Sequence, residues 1–223
     1  MSKSALIFGS TGLVGSALLT LLLESEDFSK IVIFVRKHQN IIHPKLEEVI
    51  VDFDHVEEIS DFIKGDSLFI CLGTTMARAG SKEAFYKVDY TYVMKIATIA
   101  AANKIGQLCL VSSMGADPSS SVYYSRVKGE LERDIQKLNF RAIHILRPSL
   151  LLGDRKEKRL GERVAVILSR LLSFLFIGPL QKYKPIKDIT VASAMLSLAK
   201  SNTFGLHIYE SHDVERIGIH QTN

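Results

Sequence analysis

The chain is poor in the residues that would mark a metal centre, a disulfide framework or a nucleic-acid face. Only two cysteines occur in 223 residues, and Cys71 and Cys109 each sit inside an apolar, strand-like run. Free buried thiols in a reducing compartment are therefore expected rather than a disulfide. No Cys or His spacing suits zinc, and His207, His212 and His220 are scattered and unaccompanied, so no metal is expected. The formal charge is only +4, with basic residues interspersed among acids. That excess is too small to argue for nucleic acid. Internal repeats and low-complexity segments are absent. No charged-then-apolar leader precedes the first strand, so the expectation is a cytoplasmic protein, membrane-peripheral only if a later segment touches lipid.

What is present is an ordinary globular balance, 47% apolar and 23% charged, sufficient to bury a full core as one α/β domain. The organising stretch is Leu6–Gly15, reading Leu-Ile-Phe-Gly-Ser-Thr-Gly-Leu-Val-Gly. It runs from an apolar strand through Gly9, Ser10, Thr11 and Gly12 into a helix that opens with Leu13, Val14 and Gly15. Glycines at this spacing allow a tight turn, close approach of a pyrophosphate to the backbone, and packing of the helix on the strand. The N–H groups at the helix start then face the anion. This is the start of a dinucleotide site. It predicts a Rossmann-type doubly wound parallel sheet with helices on both faces, with residues 1–147 as cofactor core and 148–223 as substrate-side and closing elements.

The remaining strands follow from buried apolar runs. Ile31–Val35 is read as strand two, and Arg36 and Lys37 follow at once. An acid at this place would accept from the 2′-hydroxyl of NAD, whereas a guanidinium pairs with a 2′-phosphate, so NADP(H) is preferred over NAD(H). Leu46–Val51 is read as strand three, with Asp52 placed to accept from the adenine amino group or to cap the helix expected over 55–63. Ser67–Leu72 is read as strand four. Gly73 and Thr74 beyond it let backbone pass beside the ribose and phosphates. Residues 76–81 read as loop and 82–103 as one helix, within which Asp89 is either a structural polar group or a contact to the loop after strand five.

The chemistry begins after strand five, Leu108–Val111. Ser112 and Ser113 stand at its carboxyl end, where a doubly wound sheet presents residues to a ligand. On the next helix, Tyr124 and Lys128 are four apart and share a face. Hydride transfer to a carbonyl leaves an alkoxide that needs a proton. A phenol, with an ordinary pKa near about 10, serves at neutral pH only beside a cation. Lys128 supplies that charge, and a hydroxyl from Ser113 or Ser112 holds the substrate oxygen. Tyr183 and Lys187 share the spacing, but Pro185 between them spoils the helix. The Ser-x-x-Lys formed by Ser125 and Lys128 lacks the companion motifs of the penicillin-recognising acylases.

These residues resemble the atypical branch of the short-chain dehydrogenase/reductase superfamily and, more narrowly, the human Tat-interacting NADPH-binding oxidoreductase family. The similarity rests on the Gly9–Gly15 turn, Phe28-Ser-Lys30, Arg36-Lys37, Val51-Asp52-Phe53 and Cys71-Leu-Gly-Thr-Thr75. It continues through Ser112-Ser113, Gly115-Ala-Asp117, Tyr124–Glu130 and Arg147-Pro148 to Asp154-Arg155, in unchanged order. The resemblance implies NADPH contacts on the glycine turn, Arg36, Leu72-Gly73, Tyr124, Lys128, the backbone near Leu151, and Arg159, with Tyr124 as proton donor-acceptor. It also implies a second reading, a regulatory protein whose NADPH state governs partner recognition.

In the last third, Ala142–Leu146 reads as strand six. The cations Arg155, Lys156, Lys158, Arg159 and Arg163 either solvate a helix start or close over cofactor phosphates. Val164–Leu180 is the most apolar segment, with Arg170 its only charge and too short for a comfortable span. It reads as a substrate-covering or core helix, a membrane-surface helix, or a dimer face. Asp188 reads as a helix cap and Leu206–Tyr209 as a final strand. Roughly 75 residues after strand six leave little room for a nucleotide-sugar domain, which disfavours an epimerase or dehydratase. The function expected is reduction of a small-molecule carbonyl, or its reverse, through Ser113, Tyr124 and Lys128.

Overall fold

Strands built from unbroken apolar runs belong where both faces of a sheet are covered, and the chain places them there. The computed structural model describes residues 2–153 and 184–219. In chain order, the first strands and helix are β1 (Lys3–Phe8), α1 (Leu13–Glu24), β2 (Phe28–Val35), β3 (Leu46–Ile50) and β4 (Ser67–Ile70). Then come α2 (Met76–Ala79), α3 (Lys82–Tyr86), α4 (Tyr92–Ala102), β5 (Gln107–Val111), α5 (Tyr123–Ile135) and β6 (Ala142–Arg147). The last elements are β7 (Leu151–Leu152), β8 (Ile186–Lys187), α6 (Asp188–Lys200), β9 (Gly205–Glu210) and α7 (Ser211–Ile219).

Seven strands form one sheet in the order β3-β2-β1-β4-β5-β6-β9, every pairing parallel, and β7 pairs with β8 separately. Alternate residues of each strand feed two apolar layers. Ala5, Ile7, Ile31 and Ile33 pack with Val14, Leu18, Val191, Met195 and Val214 of α1, α6 and α7. Leu6, Phe8, Val32 and Phe34 pack on the other face with Val93, Ile96, Leu131 and Ile135 of α4 and α5. Phe8 and Phe34 stack there with ring centroids 4.1 Å apart. This is the doubly wound architecture that the sequence predicts. The chain moves outward from β1 to β3 and returns to β4 on the other side of β1, so the carboxyl ends of β1 and β4 flank a topological switch point, where such sheets bind ligands.

Several boundaries differ from the sequence expectation. β2 begins at Phe28, because Lys3 of β1 pairs with Phe28 and extends the ladder. The segment expected as a helix over 55–63 is a run of 3₁₀ turns over Phe53–Phe62, broken by non-helical backbone at His55 and Ile59. Residues 76–81, expected as loop, hold the short α2, because the Thr75 side chain accepts from the Arg78 N–H at its start and Gly80 ends it in the left-handed region. The helix expected over 82–103 is continuous in path but carries a π turn over Lys87–Thr91. Asp188 is the first residue of α6 rather than its cap, and accepts from the Ile189 N–H at 2.8 Å. Cys71 and Cys109 are free thiols, and burial raises both above their ordinary pKa, Cys71 to about 12. The Val164–Leu180 segment and Arg159 lie outside the described residues.

Candidate functional site

The glycine turn is built so that no side chain could replace two of its glycines. Gly9 has φ +90°, and a Cβ there would stand 2.6 Å from the Cys71 carbonyl carbon. A Cβ on Gly15 would stand 2.1 Å from the Gly9 carbonyl oxygen, which is how α1 closes on the end of β1. Gly12 is the N-cap of α1 and has no side chain to satisfy the first-turn N–H groups. A helix start left open in this way suits an anion. Ser10 sits in the turn with its Oγ enclosed and unbonded among the described residues, while Thr11 is exposed and Leu13 half-buried beside it. The Leu13 side chain approaches Gly153, two residues after Leu151, where an added Cβ would lie 2.9 Å from Leu13 Cδ2.

Next to this turn, β2 delivers Arg36 and Lys37 to solvent at its carboxyl end. Neither has an ion-pair partner among the described residues. Asp52 accepts from the Asp54 N–H at 3.0 Å as the cap of the 3₁₀ turns. Capping therefore accounts for that contact of Asp52. Phe53 packs edge-on to Phe8 and lies 5.5 Å from the Tyr92 ring, closing the floor under this end of the sheet. Leu72, Gly73 and Thr74 leave β4 alongside the glycine turn, bound to it through the backbone of Cys71, whose N–H donates to the Phe8 carbonyl at 2.8 Å.

The two serines after β5 have different lots. Ser112 is buried, and its Oγ donates to Glu132 Oε1 at 2.5 Å. Glu132 is also gripped by Arg147, whose Nη2 lies 2.6 Å from Oε2, and Arg147 reaches Glu210 at 2.9 Å. This network ties α5 to the ends of β5, β6 and β9. Ser113 Oγ is enclosed and makes no hydrogen bond among the described residues. Ser112 is thus committed to holding the helix, while Ser113 keeps its hydroxyl unspent. Gly129 lets α5 press on the loop after β5, since a Cβ there would meet Asp117 and Pro118 backbone at 2.2 Å.

Tyr124 and Lys128 project from one face of α5, and Lys128 is almost fully buried. Phe85 from α3 is buried and sits 5.4 Å from the Tyr124 ring, holding it in place. Tyr123 turns outward, with its hydroxyl donating to the Lys82 carbonyl at 3.0 Å. Lys128 Nζ lies 2.7 Å from Asp89 Oδ1, and both side chains are almost wholly enclosed. Desolvation alone would depress the lysine, but the Asp89 carboxylate and its neighbours more than offset that and hold its pKa above the ordinary value. Asp89 touches the loop after β4 rather than the one after strand five, since its Oδ2 accepts from the Thr74 N–H at 2.8 Å. Phe85, Glu132 and Arg147 are the side chains that the sequence reading missed as parts of the site, and for Asp89, raised there, it missed the partners Thr74 and Lys128. Their signal was the i, i+4 spacing of Phe85 with Asp89, and of Lys128 with Glu132.

A family model described as NAD(P)H-binding matches residues 9–160. The chain belongs to this NAD(P)H-binding family. Curated proteins are similar to the chain over most of their length. Protein HTATIP2 of Rattus norvegicus is 38% identical over 168 residues, covering 74% of this chain and 69% of that protein. Protein FMP52, mitochondrial, of Candida albicans is 34% identical over 208 residues, covering 91% of this chain and 90% of that one. Among solved structures, a MoeE5 complex with UDP-glucuronic acid and NAD aligns with TM-score 0.70 at 14% identity, over 98% of this chain and 82% of that one. A UDP-N-acetylglucosamine 4-epimerase from Methanobrevibacter ruminantium M1 aligns with TM-score 0.68 at 14% identity, over 94% and 76%. These structures show the fold, a Rossmann-type doubly wound parallel sheet. The NAD(P)H-binding family membership makes a pyridine nucleotide the cofactor class. The cytoplasmic expectation is corrected by the relatives, because the FMP52 proteins of several yeasts, Saccharomyces cerevisiae among them, are named mitochondrial. That expectation rested on a leader not being visible at the start of the sequence, which is weak ground for a compartment. No helix among the described residues is long and apolar enough to cross a membrane.

Proposed function

We propose that this chain is an NADP(H)-dependent oxidoreductase acting on a small carbonyl or alcohol through Ser113, Tyr124 and Lys128. The observation that carries the reading is the division of labour at the end of β5. Ser112 is consumed by Glu132, whereas Ser113, the next residue at the carboxyl end of β5, holds an unspent, enclosed hydroxyl. The residues present fit a dinucleotide. The open start of α1 and the closely packed glycine turn suit the pyrophosphate, and Arg36 with Lys37, exposed and without an ion-pair partner among the described residues, suits a 2′-phosphate. Leu72–Thr74 and the backbone near Leu151 would line its path, and Lys128 would hold the ribose next to the nicotinamide. When bound, that ring supplies or accepts the hydride. Ser113 then donates to the substrate oxygen as negative charge develops there, and Tyr124 passes the proton to it or takes it back. The ammonium of Lys128 stabilises negative charge on the phenol oxygen as the proton leaves.

The test is NADPH oxidation against a panel of aldehydes and ketones, with the Tyr124→Phe variant beside the unaltered chain. Turnover is expected to fall by about a hundredfold or more in the variant while NADPH affinity is kept. Turnover that survives the substitution overturns the assignment of Tyr124. NADPH binding with no turnover on any carbonyl favours the coenzyme-gated binding protein instead. The mitochondrial names of the fungal relatives extend the proposal to a mitochondrial place of work, which fractionation of cells expressing the tagged chain would check.

A further inference from the structure

Asp89 is a carboxylate with no exposed surface, set in the middle of a π turn, in a chain whose other acids are mostly at the surface. π turns are rare and recur at functional sites, because the extra residue re-aims a side chain. Here the turn lets one carboxylate serve two elements. Oδ2 receives the Thr74 N–H from the strip that leaves β4, and Oδ1 stands 2.7 Å from the Lys128 ammonium on α5. The second contact is a short, enclosed ion pair, and no other polar partner of Oδ1 is found among the described residues. Asp89 is the ion-pair partner of Lys128 among the described residues, and an ammonium carries three N–H donors, so donors remain for an acceptor beyond the Asp89 oxygen. The open side is toward Gly73. A Cβ added there would lie 3.7 Å from Lys128 Nζ and 3.3 Å from Asp89 Oδ1, so the missing side chain leaves a gap beside the pair.

We propose that Asp89 is a positioning residue. It fixes the Lys128 ammonium by charge beside Gly73, so that the lysine's N–H donors meet vicinal hydroxyls of a ribose lying over the Leu72–Thr74 strip. This deepens the oxidoreductase reading and rests on it. The same carboxylate ties the strip itself, through the Thr74 amide, to the helix that carries Tyr124 and Lys128. A chain segment that contacts the coenzyme and the lysine that orients it are therefore held by one group. Neutralising Asp89 would leave the glycine turn and Arg36 untouched, since neither contacts it.

The experiment compares two ligands by fluorescence and calorimetry. NADPH spans the whole site, and 2′,5′-ADP carries only the adenosine half and stops short of Lys128. In Asp89→Asn, NADPH affinity is expected to fall about tenfold, the equivalent of losing one oriented charge-assisted bond, while 2′,5′-ADP affinity stays within about twofold. An equal fall for both ligands marks a general structural role and overturns the proposal, as does no fall for either. Should Asp89→Asn fail to fold, the double variant Lys128→Met/Asp89→Asn, which leaves no unpaired charge, is compared with Lys128→Met, in which the Thr74 amide still donates to Asp89. The two are expected to bind NADPH equally, and a further loss in the double variant overturns the proposal. If the unaltered chain binds 2′,5′-ADP but not NADPH, the positioning role falls while the adenosine site stands. If it binds neither, the coenzyme reading fails and takes the proposal with it.

Discussion

Substituting the two serines after β5 one at a time should separate stability from turnover with opposite signs. In Ser112→Ala, the hydroxyl that donates to the buried Glu132 carboxylate at 2.5 Å is lost. A hydrogen bond to a charged group contributes about 1.5–3 kcal/mol. In a chain of this length about 1 kcal/mol corresponds to roughly 2–4 °C, so Tm should drop by about 3–12 °C. Arg147 still holds Glu132 through three contacts of 2.6 to 3.2 Å, so α5 stays seated and turnover should remain within about tenfold. Ser113→Ala removes a hydroxyl that is enclosed and unbonded. An unpaired buried polar group is a cost of about 1–3 kcal/mol to the folded state, and its removal should leave Tm unchanged or raise it by a few degrees. Turnover should nevertheless fall by about 10²- to 10³-fold, the usual penalty for losing one donor to a developing oxyanion. Thermal unfolding by circular dichroism and NADPH-linked turnover on the same preparations give both axes. The reasoning is refuted if Ser113→Ala loses as much Tm as Ser112→Ala while keeping turnover within about twofold.

Gly15→Ala places a methyl group 2.1 Å from a backbone oxygen and should cost about 1–3 kcal/mol by overpacking. NADPH affinity should fall at least about tenfold, whereas Gly12→Ala, whose nearest neighbour is 3.3 Å away, should keep its Tm; differential scanning calorimetry compares them. His144 is fully buried between β5 and β9, and burial, with His207 beside it, pushes its pKa down to about 4. Because the folded value lies below the unfolded one of about 6.5, its contribution is intact above that pH and is lost as pH falls toward 4. The loss is on the order of 3 kcal/mol. His144→Gln should flatten the fall in Tm between pH 7 and pH 5, and an unchanged slope would count against it.

The residues differ in how openly the sequence declares them. The glycine turn was legible because its chemistry is local, with strand, turn and helix within ten residues and glycines where backbone must pass backbone. The sheet was legible because strands covered on both faces must be apolar at every position, as Ala5–Phe8 and Ile31–Val35 are. Tyr124 and Lys128 were legible once a helix was granted. Asp89 was noticed but its partners were not, because a π turn adds one residue to a helix without breaking its apolar spacing, and Thr74 and Lys128 are 15 and 39 residues away in sequence. The choice between Ser112 and Ser113 was hidden for the same reason. Neighbours on an extended chain point in opposite directions, and only the long-range contact with Glu132, 20 residues on, shows which of them is taken. The 3₁₀ turns at Phe53–Phe62 escaped because their periodicity differs little from that of a short α-helix.

The central claim is that the glycine turn receives a dinucleotide whose additional phosphate meets Arg36. Fluorescence titration of the purified chain and of Arg36→Ala with NADPH and with NADH tests it most directly. The account predicts that the unaltered chain binds NADPH at least about tenfold more tightly than NADH and that the advantage vanishes in the variant. Equal affinity for the two coenzymes in the unaltered chain, or binding of neither, contradicts it.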